Sequence, residues 1–497
     1  MNNGPAGQDY KPETMKNFQH DRRSFLRTMS FAAGALAIPS ALHALAARSR
    51  KLNVIILLTD DQRFDTIAAL WKTQAITPNM DALAKNGTAF TQAHTMGGLS
   101  GALCQPSRAM LLTGRTLFNI DRQAKDNQEY SFDIYNNYIT LPEYLKKQGY
   151  NTVGIGKQHN GTEVYARAFS DGAKVFFGGM SDQYKIPHQD FAADGKYPKE
   201  RTYFSEGKHS SEIYADETIR FIEKYKTSPF FIYTAFQSPH DPREFPESYK
   251  ALYDVDKIQL PPNYLPQHPF DNGELNVRDE LLAPFPRTEE DTRKQLRDYY
   301  AIISHLDAQV GRIVKSVKDN GLENDTIVVL AGDNGLAVGQ HGLFGKQSVY
   351  EHSLRVPLII AGPDIPKNQR VDSLCYLTDI YATLAERLEV AVPTSVQSES
   401  LNPAIKNPKA VIRPSLYLVY KHYQRGVKKN GFKLIEYNVK GERHTQLFDL
   451  TKDPYEITNL ATDKTYAAKL GELREELKAL RVKHKDNFSP FWDGYEG

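Results

Sequence analysis

The chain has 497 residues, a quarter of them charged, and a formal net charge of only +2. That length exceeds one ordinary core and calls for two or three domains, or one large α/β domain with an appendage; the near-neutral balance argues against a nucleic-acid binder working by phosphate neutralisation. Two cysteines, Cys104 and Cys375, write no disulfide framework, and Cys375, in an apolar run, is expected in the core.

Asp21-Arg22-Arg23-Ser24-Phe25-Leu26-Arg27 precedes an Ala-rich apolar tract, Met29 to Ala47, too short to span a membrane comfortably and ending in small residues like a cleavage site. Residues 1–47 therefore resemble a twin-arginine signal, which implies the twin-arginine export machinery as a partner and a bacterial periplasmic or secreted destination. No cysteine follows the tract, so no stable membrane anchor is expected.

Leu52 to Leu58 reads as a strand buried on both faces and ends in Thr59-Asp60-Asp61. Two adjacent carboxylates at a buried strand end repel each other unless a cation compensates them, and strand ends of open α/β sheets are where ligands gather. Met80 to Asn86 and Leu141 to Gln148 read as crossover helices. Asn151 to Ile155 then delivers Gly156-Lys157-Gln158-His159; His159 stands where a dinucleotide fingerprint needs its third glycine, which excludes that motif. Phe230 to Phe236 delivers Gln237-Ser238-Pro239-His240. Thr288 caps a long amphipathic helix that runs to Gly321, and Thr326 to Ala331 delivers Gly332-Asp333-Asn334-Gly335. Residues 160–228 and 241–288 are polar, aromatic and irregular, and are expected to form ordered rims of a substrate entrance.

After about Pro408 the texture changes. Leu416 to Tyr420, Phe432 to Tyr437 and Thr445 to Asp449 read as short antiparallel strands, and Leu470, Leu473, Leu477 and Leu480 mark a closing helix. The expected fold is α/β: a large, mostly parallel sheet sandwiched by helices over 51–407, with a small C-terminal antiparallel sheet plus helix over 408–497.

Taken singly, a free cysteine is a small buried hydrophobe and Pro-Ser a helix start. Taken together, Cys104-Gln105-Pro106-Ser107-Arg108, closed by Leu112-Thr113-Gly114-Arg115, resembles the signature of the type I sulfatases, whose fold is alkaline-phosphatase-like. The likeness runs from about Asn53 to Leu460. It implies that Cys104 is oxidised by a maturase to formylglycine, whose hydrate is the nucleophile. Asp60, Asp61, Asp333 and Asn334, with the modified Cys104, would hold one divalent cation, most often calcium, which favours such hard oxygen ligands. Arg108, one helical turn after Cys104, would bond the nucleophile. The same likeness has Lys157 grip a sulfate oxygen, His159 take the hydrate proton, and His240 and Lys346 face the leaving oxygen. The Gly339 to Lys346 loop resembles that of iduronate- and heparan-type sulfatases. A sulfated carbohydrate is the expected substrate, with Arg122, Arg243, His341, His422 and Arg425 as exposed candidates to meet a second sulfate or a carboxylate. Rival expectations are a phosphonate monoester or phosphodiester hydrolase of the same superfamily, and a catalytically silent carbohydrate-binding relative.

Overall fold

The computed structural model describes residues 51–125, 129–132, 137–487 and 490–495; the signal-like segment 1–47 lies outside the described residues. Strand β1 (Asn53–Asp60) is buried along its whole length, as its β-branched run requires. It is joined in one eight-stranded sheet by β2 (Gly87–Phe90), β3 (Asn151–Lys157), β4 (Asp171–Phe176), β5 (Phe230–Pro239), β6 (Thr326–Gly332), β7 (Leu358–Ala361) and β8 (Gln369–Val371). The spatial order is β8-β2-β7-β6-β1-β5-β3-β4. The stretch from β6 to β4 is parallel throughout, and β7 runs against its neighbours.

Alternate residues of β1 face two different cores. Val54, Ile56 and Leu58 pack with Leu111 and Leu112, Leu141 and Leu145, and Ile380; these belong to helices α2 (Cys104–Thr113), α3 (Leu141–Lys147) and α6 (Asp379–Arg387). Ile55 and Leu57 pack on the other face with Met80 and Leu83, Tyr214 and Phe221, and Leu306 and Ile313. Those come from α1 (Pro78–Lys85), α4 (Ser210–Tyr225) and α5 (Glu289–Asp319). The α5 helix starts where Thr288 accepts the Asp291 N–H at 3.1 Å.

The expectation of irregular structure over 160–228 is corrected, because this segment supplies edge strand β4 and the whole of α4. Its helical period is carried partly by Thr218, and its cap is His209, whose ring accepts the Ser211 N–H, an uncommon signal. Residues 241–288 do lack long elements: a four-residue helix at Glu247–Lys250 and short 3-10 turns, including Arg278–Leu282, interrupt extended chain.

The C-terminal sheet has four antiparallel strands, β9 (Ser415–Tyr420), β10 (Gln424–Lys429), β11 (Phe432–Val439) and β12 (Glu442–Asp449), packed by α7 (Ala467–His484). Polar β10 escapes the hydrophobic pattern. The sheet is mixed rather than purely antiparallel, since Gly97–Gly98 pairs in parallel with β9. A Cβ at Gly97 would lie 1.9 Å from the Val419 carbonyl oxygen, and its φ is +99, so only glycine permits the pairing. The segment leading into Cys104 is thereby fastened to the C-terminal sheet. No helix among the described residues is long and apolar enough to cross a membrane.

Candidate active site

Four adjacent parallel strands end side by side in the order β6, β1, β5, β3, and each end carries a polar group: Asp333 and Asn334, Asp60 and Asp61, His240, and Lys157. Strands in a sheet lie about 4.8 Å apart, so these groups converge without any loop having to fold back. Gly156 lets β3 approach closely there, because a Cβ would meet the Ala235 carbonyl oxygen at 2.2 Å. Helix α2 points its first residue into the cluster, and all ten of its residues are buried.

Cys104 Sγ lies 3.1 Å from Asp60 Oδ1 and 3.8 Å from Asp61 Oδ1, and Lys346 Nζ lies 3.0 Å from the sulfur. Lys346 also donates to both Asp61 oxygens at 2.8 Å, and Lys157 donates to Asp60. Arg108, one turn into α2, holds Asp333 through Nε at 3.0 Å and Nη2 at 2.9 Å, and donates to the Lys157 carbonyl. The Asp61 N–H donates to Asp333 at 3.1 Å from a left-handed backbone, φ +63, and its carbonyl accepts the Tyr299 hydroxyl at 2.8 Å. Asn334, with its amide assigned to satisfy both ends, donates to the Asp333 carbonyl at 3.1 Å and accepts the Cys104 N–H at 3.2 Å.

Burial pushes the Cys104 thiol well above its ordinary pKa, and the charges of Asp333 and Asp60 push the same way. The unmodified sulfur is therefore a protonated thiol, a poor nucleophile. Burial likewise raises Asp61, and Asp60 and Asp333 add to it against Lys346. Asp60 goes the other way: burial would raise it, but Lys157, His240 and Arg108 together hold it well below the carboxylate range. Burial and the Lys346 and Lys157 charges press His240 down to about 4, and burial with Lys157 presses His159 well below its usual value. Both imidazoles are neutral. The His240 Nδ1 faces the Asp241 carbonyl at 2.7 Å, which leaves Nε2 toward Asp61 at 3.6 Å; the buried Nδ1 of His159 has no hydrogen-bond partner among the described residues.

Ligand atoms of Asp60, Asp61, Cys104 and His240 all lie within 4.8 Å of one another, a buried candidate metal site. Asp333 and Asn334 stand beside this group, turned toward Arg108 and Cys104. Carboxylates driven together in a buried place, one of them raised by its neighbours, fit a hard divalent cation.

The five expected rim residues fare differently. Arg425 is fully buried and binds Asp486 Oδ2 at 2.6 Å, so the expectation of an exposed Arg425 is corrected. His341, also expected exposed, is buried, stacked on Tyr350 at 4.0 Å and paired with Asn263 at 3.0 Å. Arg243 donates to Gln295 and lies over Tyr299; Arg122 donates to the Phe118 carbonyl at 3.2 Å and lies over Tyr130. His422 is half-buried against Tyr423. Residues that the sequence pattern did not single out stand closer. Asp279 accepts Gln347 Nε2 at 2.7 Å, and Glu280 accepts the N–H groups of Phe344 and Gly345 at 2.9 and 2.8 Å, just before Lys346. They lie in a segment with no hydrophobic period, where no sequence signal marks them.

A buried cysteine among three carboxylates and three cationic side chains, at the carboxyl ends of a parallel sheet, defines a hydrolase centre for an ester of a tetrahedral oxyanion. A family pattern described as Sulfatase matches residues 52–390, and one described as N-sulphoglucosamine sulphohydrolase, C-terminal, matches residues 339–483. The chain belongs to the sulfatase family, and the enzyme is a sulfuric ester hydrolase. It is similar to a sulfatase of Formosa agariphila, 29% identical over 458 residues and 87% of each chain. It is also similar to the N-acetylglucosamine-6-O-sulfatase of Bacteroides thetaiotaomicron, 27% identical over 533 residues, with 93% of this chain and 91% of that one covered. A solved structure in complex with its substrate D-glucosamine-2-N,6-O-disulfate shares the fold, with a TM-score of 0.73 at 24% identity over 88% of this chain and 99% of that one.

Proposed function

We propose that the protein is an exported sulfatase that removes sulfate from a sulfated carbohydrate, with Cys104 matured to formylglycine and one divalent cation, calcium, held by Asp60, Asp61, Asp333 and Asn334 together with the matured Cys104. The observation that carries this reading is the place of Cys104: at the head of a buried helix, with Asp60 at 3.1 Å and Lys346 at 3.0 Å of its sulfur. The matured side chain would supply the nucleophilic oxygen that a protonated thiol lacks. The cation would supply Lewis-acid polarisation of a sulfate oxygen.

The chain's own residues then have separate tasks. Lys157 brings positive charge to a sulfate oxygen, and preorganised charge of this kind is usually the largest catalytic term; Arg108, expected to bond the nucleophile, holds Asp333 beside it. Neutral His159 is competent to take a proton from the nucleophile. Lys346, held charged against burial chiefly by Asp61, stabilises negative charge on the leaving oxygen. His240, oriented through Nδ1 by the Asp241 carbonyl, presents Nε2 beside it. The carbohydrate reading is supported by two relatives, one named as an N-acetylglucosamine-6-O-sulfatase and one solved with a sulfated glucosamine. Export rests on the twin-arginine-like segment 1–47, whose route carries folded proteins; Cys104 must then be oxidised in the cytoplasm, with a maturase as transient partner. Residues 51–407 form the proposed catalytic domain and 408–497 its C-terminal subdomain.

The test is the protein co-expressed with a maturase. Mass spectrometry of the Cys104 peptide should show an aldehyde in place of the thiol, and an aryl sulfate should be turned over faster than an aryl phosphonate monoester. Faster phosphonate turnover, or full activity in Cys104→Ala, would overturn the reading.

A further inference from the structure

Arg122, Arg243, His341 and Arg425 are already held by neighbouring groups, and His422 is half-buried against Tyr423, so the rim is read from the groups that border the buried centre. Two charged clusters do. On one side the half-exposed Arg278 lies 3.3 Å from both oxygens of Asp241, the residue after His240, and donates to Asp279 at 2.8 Å. On the other, Lys421 lies 2.8 Å from Glu129 and pairs with Glu274. The second cluster reaches the site because the Lys421 N–H donates to the Gly98 carbonyl at 2.8 Å, and a Cβ on Gly101, three residues before Cys104, would be 4.0 Å from both Lys421 Nζ and Glu129 Oε1. Gln347, next to Lys346, ties the two together by donating to Asp279 at 2.7 Å and to the Gly101 carbonyl at 3.2 Å.

The balance of charge is the informative feature. Three cations, Arg278, Lys421 and Arg243, stand among four carboxyl groups, Asp241, Asp279, Glu129 and Glu274; Arg278 and Lys421 each hold two of them, and Arg243, beside Asp241, donates to Gln295 and lies over Tyr299. A second sulfate or a carboxylate on the substrate would have to displace a bound carboxylate to reach Arg278 or Lys421, and would meet like charge on the way. A hydroxyl or ammonium instead donates to those same carboxylates in charge-assisted hydrogen bonds.

We propose that the rim beside the scissile ester is a subsite for a neutral or amino sugar bearing a single sulfate, in which Glu129 and Asp241 select against a second anionic group. This rests on the sulfated-carbohydrate reading above and sharpens it: the cations of the catalytic centre, Arg108, Lys157 and Lys346, are buried, whereas the rim cations Arg278 and Lys421 are already paired with carboxylates.

The test uses the matured, calcium-loaded full chain on pairs of hexose or hexosamine sulfates that share the scissile ester and differ by a second sulfate or a carboxylate, with an aryl sulfate as reference for the buried centre. The singly charged member of each pair should have the higher kcat/KM, by roughly tenfold. Glu129→Gln, at a rim side chain about a third exposed, should narrow that ratio roughly twofold to fivefold through KM for the doubly charged sugar. Asp241→Asn should narrow it further. Equal or better turnover of the doubly charged sugars, or a ratio that neither variant moves, overturns the proposal while leaving the carbohydrate reading intact. So does a preference for doubly charged sugars that Lys125→Ala abolishes, since exposed Lys125 sits in the same hairpin as Glu129. Aryl sulfate turnover with no sugar turned over removes the carbohydrate reading, and the subsite falls with it.

Discussion

Replacing Glu280 should unfasten Lys346 without touching it. Glu280 is buried, and its two oxygens accept the Gly345 N–H at 2.8 Å, the Phe344 N–H at 2.9 Å and Arg287 Nη2 at 2.5 Å. Arg287, itself buried, also donates to the Gly342 carbonyl at 3.3 Å, so the pair clamps the loop from 342 to 345. Hydrogen bonds to a charged partner contribute about 1.5–3 kcal/mol each, and removing one member of a buried ion pair costs about 3–5 kcal/mol. Glu280→Ala should therefore destabilise the protein by about 3–5 kcal/mol, and Glu280→Gln, which keeps one acceptor, by less. Urea unfolding measures the loss, and hydrogen exchange of the 342–346 amides localises it. Because Lys346 lies next in the chain, kcat on a sulfate ester should fall in both variants while the Cys104 aldehyde is still formed. Unchanged exchange at Phe344 and Gly345 together with unchanged kcat in Glu280→Ala would refute the clamp.

Three further outcomes are expected. Calcium should raise the melting temperature and a chelator lower it, by about 2.7 kcal/mol of added stability at a hundredfold excess over Kd; Asp61→Asn should abolish the response. Burial depresses His94, His268, His305 and His484 to about 4, and His188, His209 and His341 to about 3. The unfolded chain then binds more protons than the folded one below pH about 6.5, so the stability these groups confer is complete above that pH and is lost as pH falls toward 4 and 3; urea midpoints across this window measure it. Arg425→Ala should cost about 3–5 kcal/mol by stranding Asp486, with KM for the sulfate ester unchanged in the folded fraction, as a buried ion pair rather than a substrate contact predicts.

Much of the buried centre was legible in the sequence because its parts sit at strand ends. A run such as Val54 to Leu58 announces its own burial, and whatever follows it is delivered to the sheet's carboxyl edge; Asp60, Lys157, His240 and Asp333 could be named from that grammar alone. Helix α4 and strand β10 were not, since Thr218 stands in for an apolar residue in one and Gln424-Arg425-Gly426 opens the other. The rim was the least legible part. An arginine in a polar stretch reads the same whether it is half-exposed beside nearby acids, like Arg278, or sunk in a strand against a distant acid, like Arg425, because its partner lies 61 residues away in the second case.

The same distinction separates chemistry from selectivity in this fold. The groups of the buried centre arrive on four neighbouring strands, whose spacing the sheet fixes, on α2, and, for Lys346, on the loop after β6. The groups of the proposed rim subsite arrive at the end of β5 with Asp241, on the 278–282 turn, on the Gly101 and Glu129 segments, and on the turn between β9 and β10. The Gly97–Gly98 pairing fastens the approach to Cys104 onto β9 and so brings Lys421 beside Gly98 and Gly101, three residues before Cys104. A change of register in that one short pairing would move Lys421 against Glu129 and Glu274, which lie on other segments, while Asp60 and Lys157 stay where the sheet puts them.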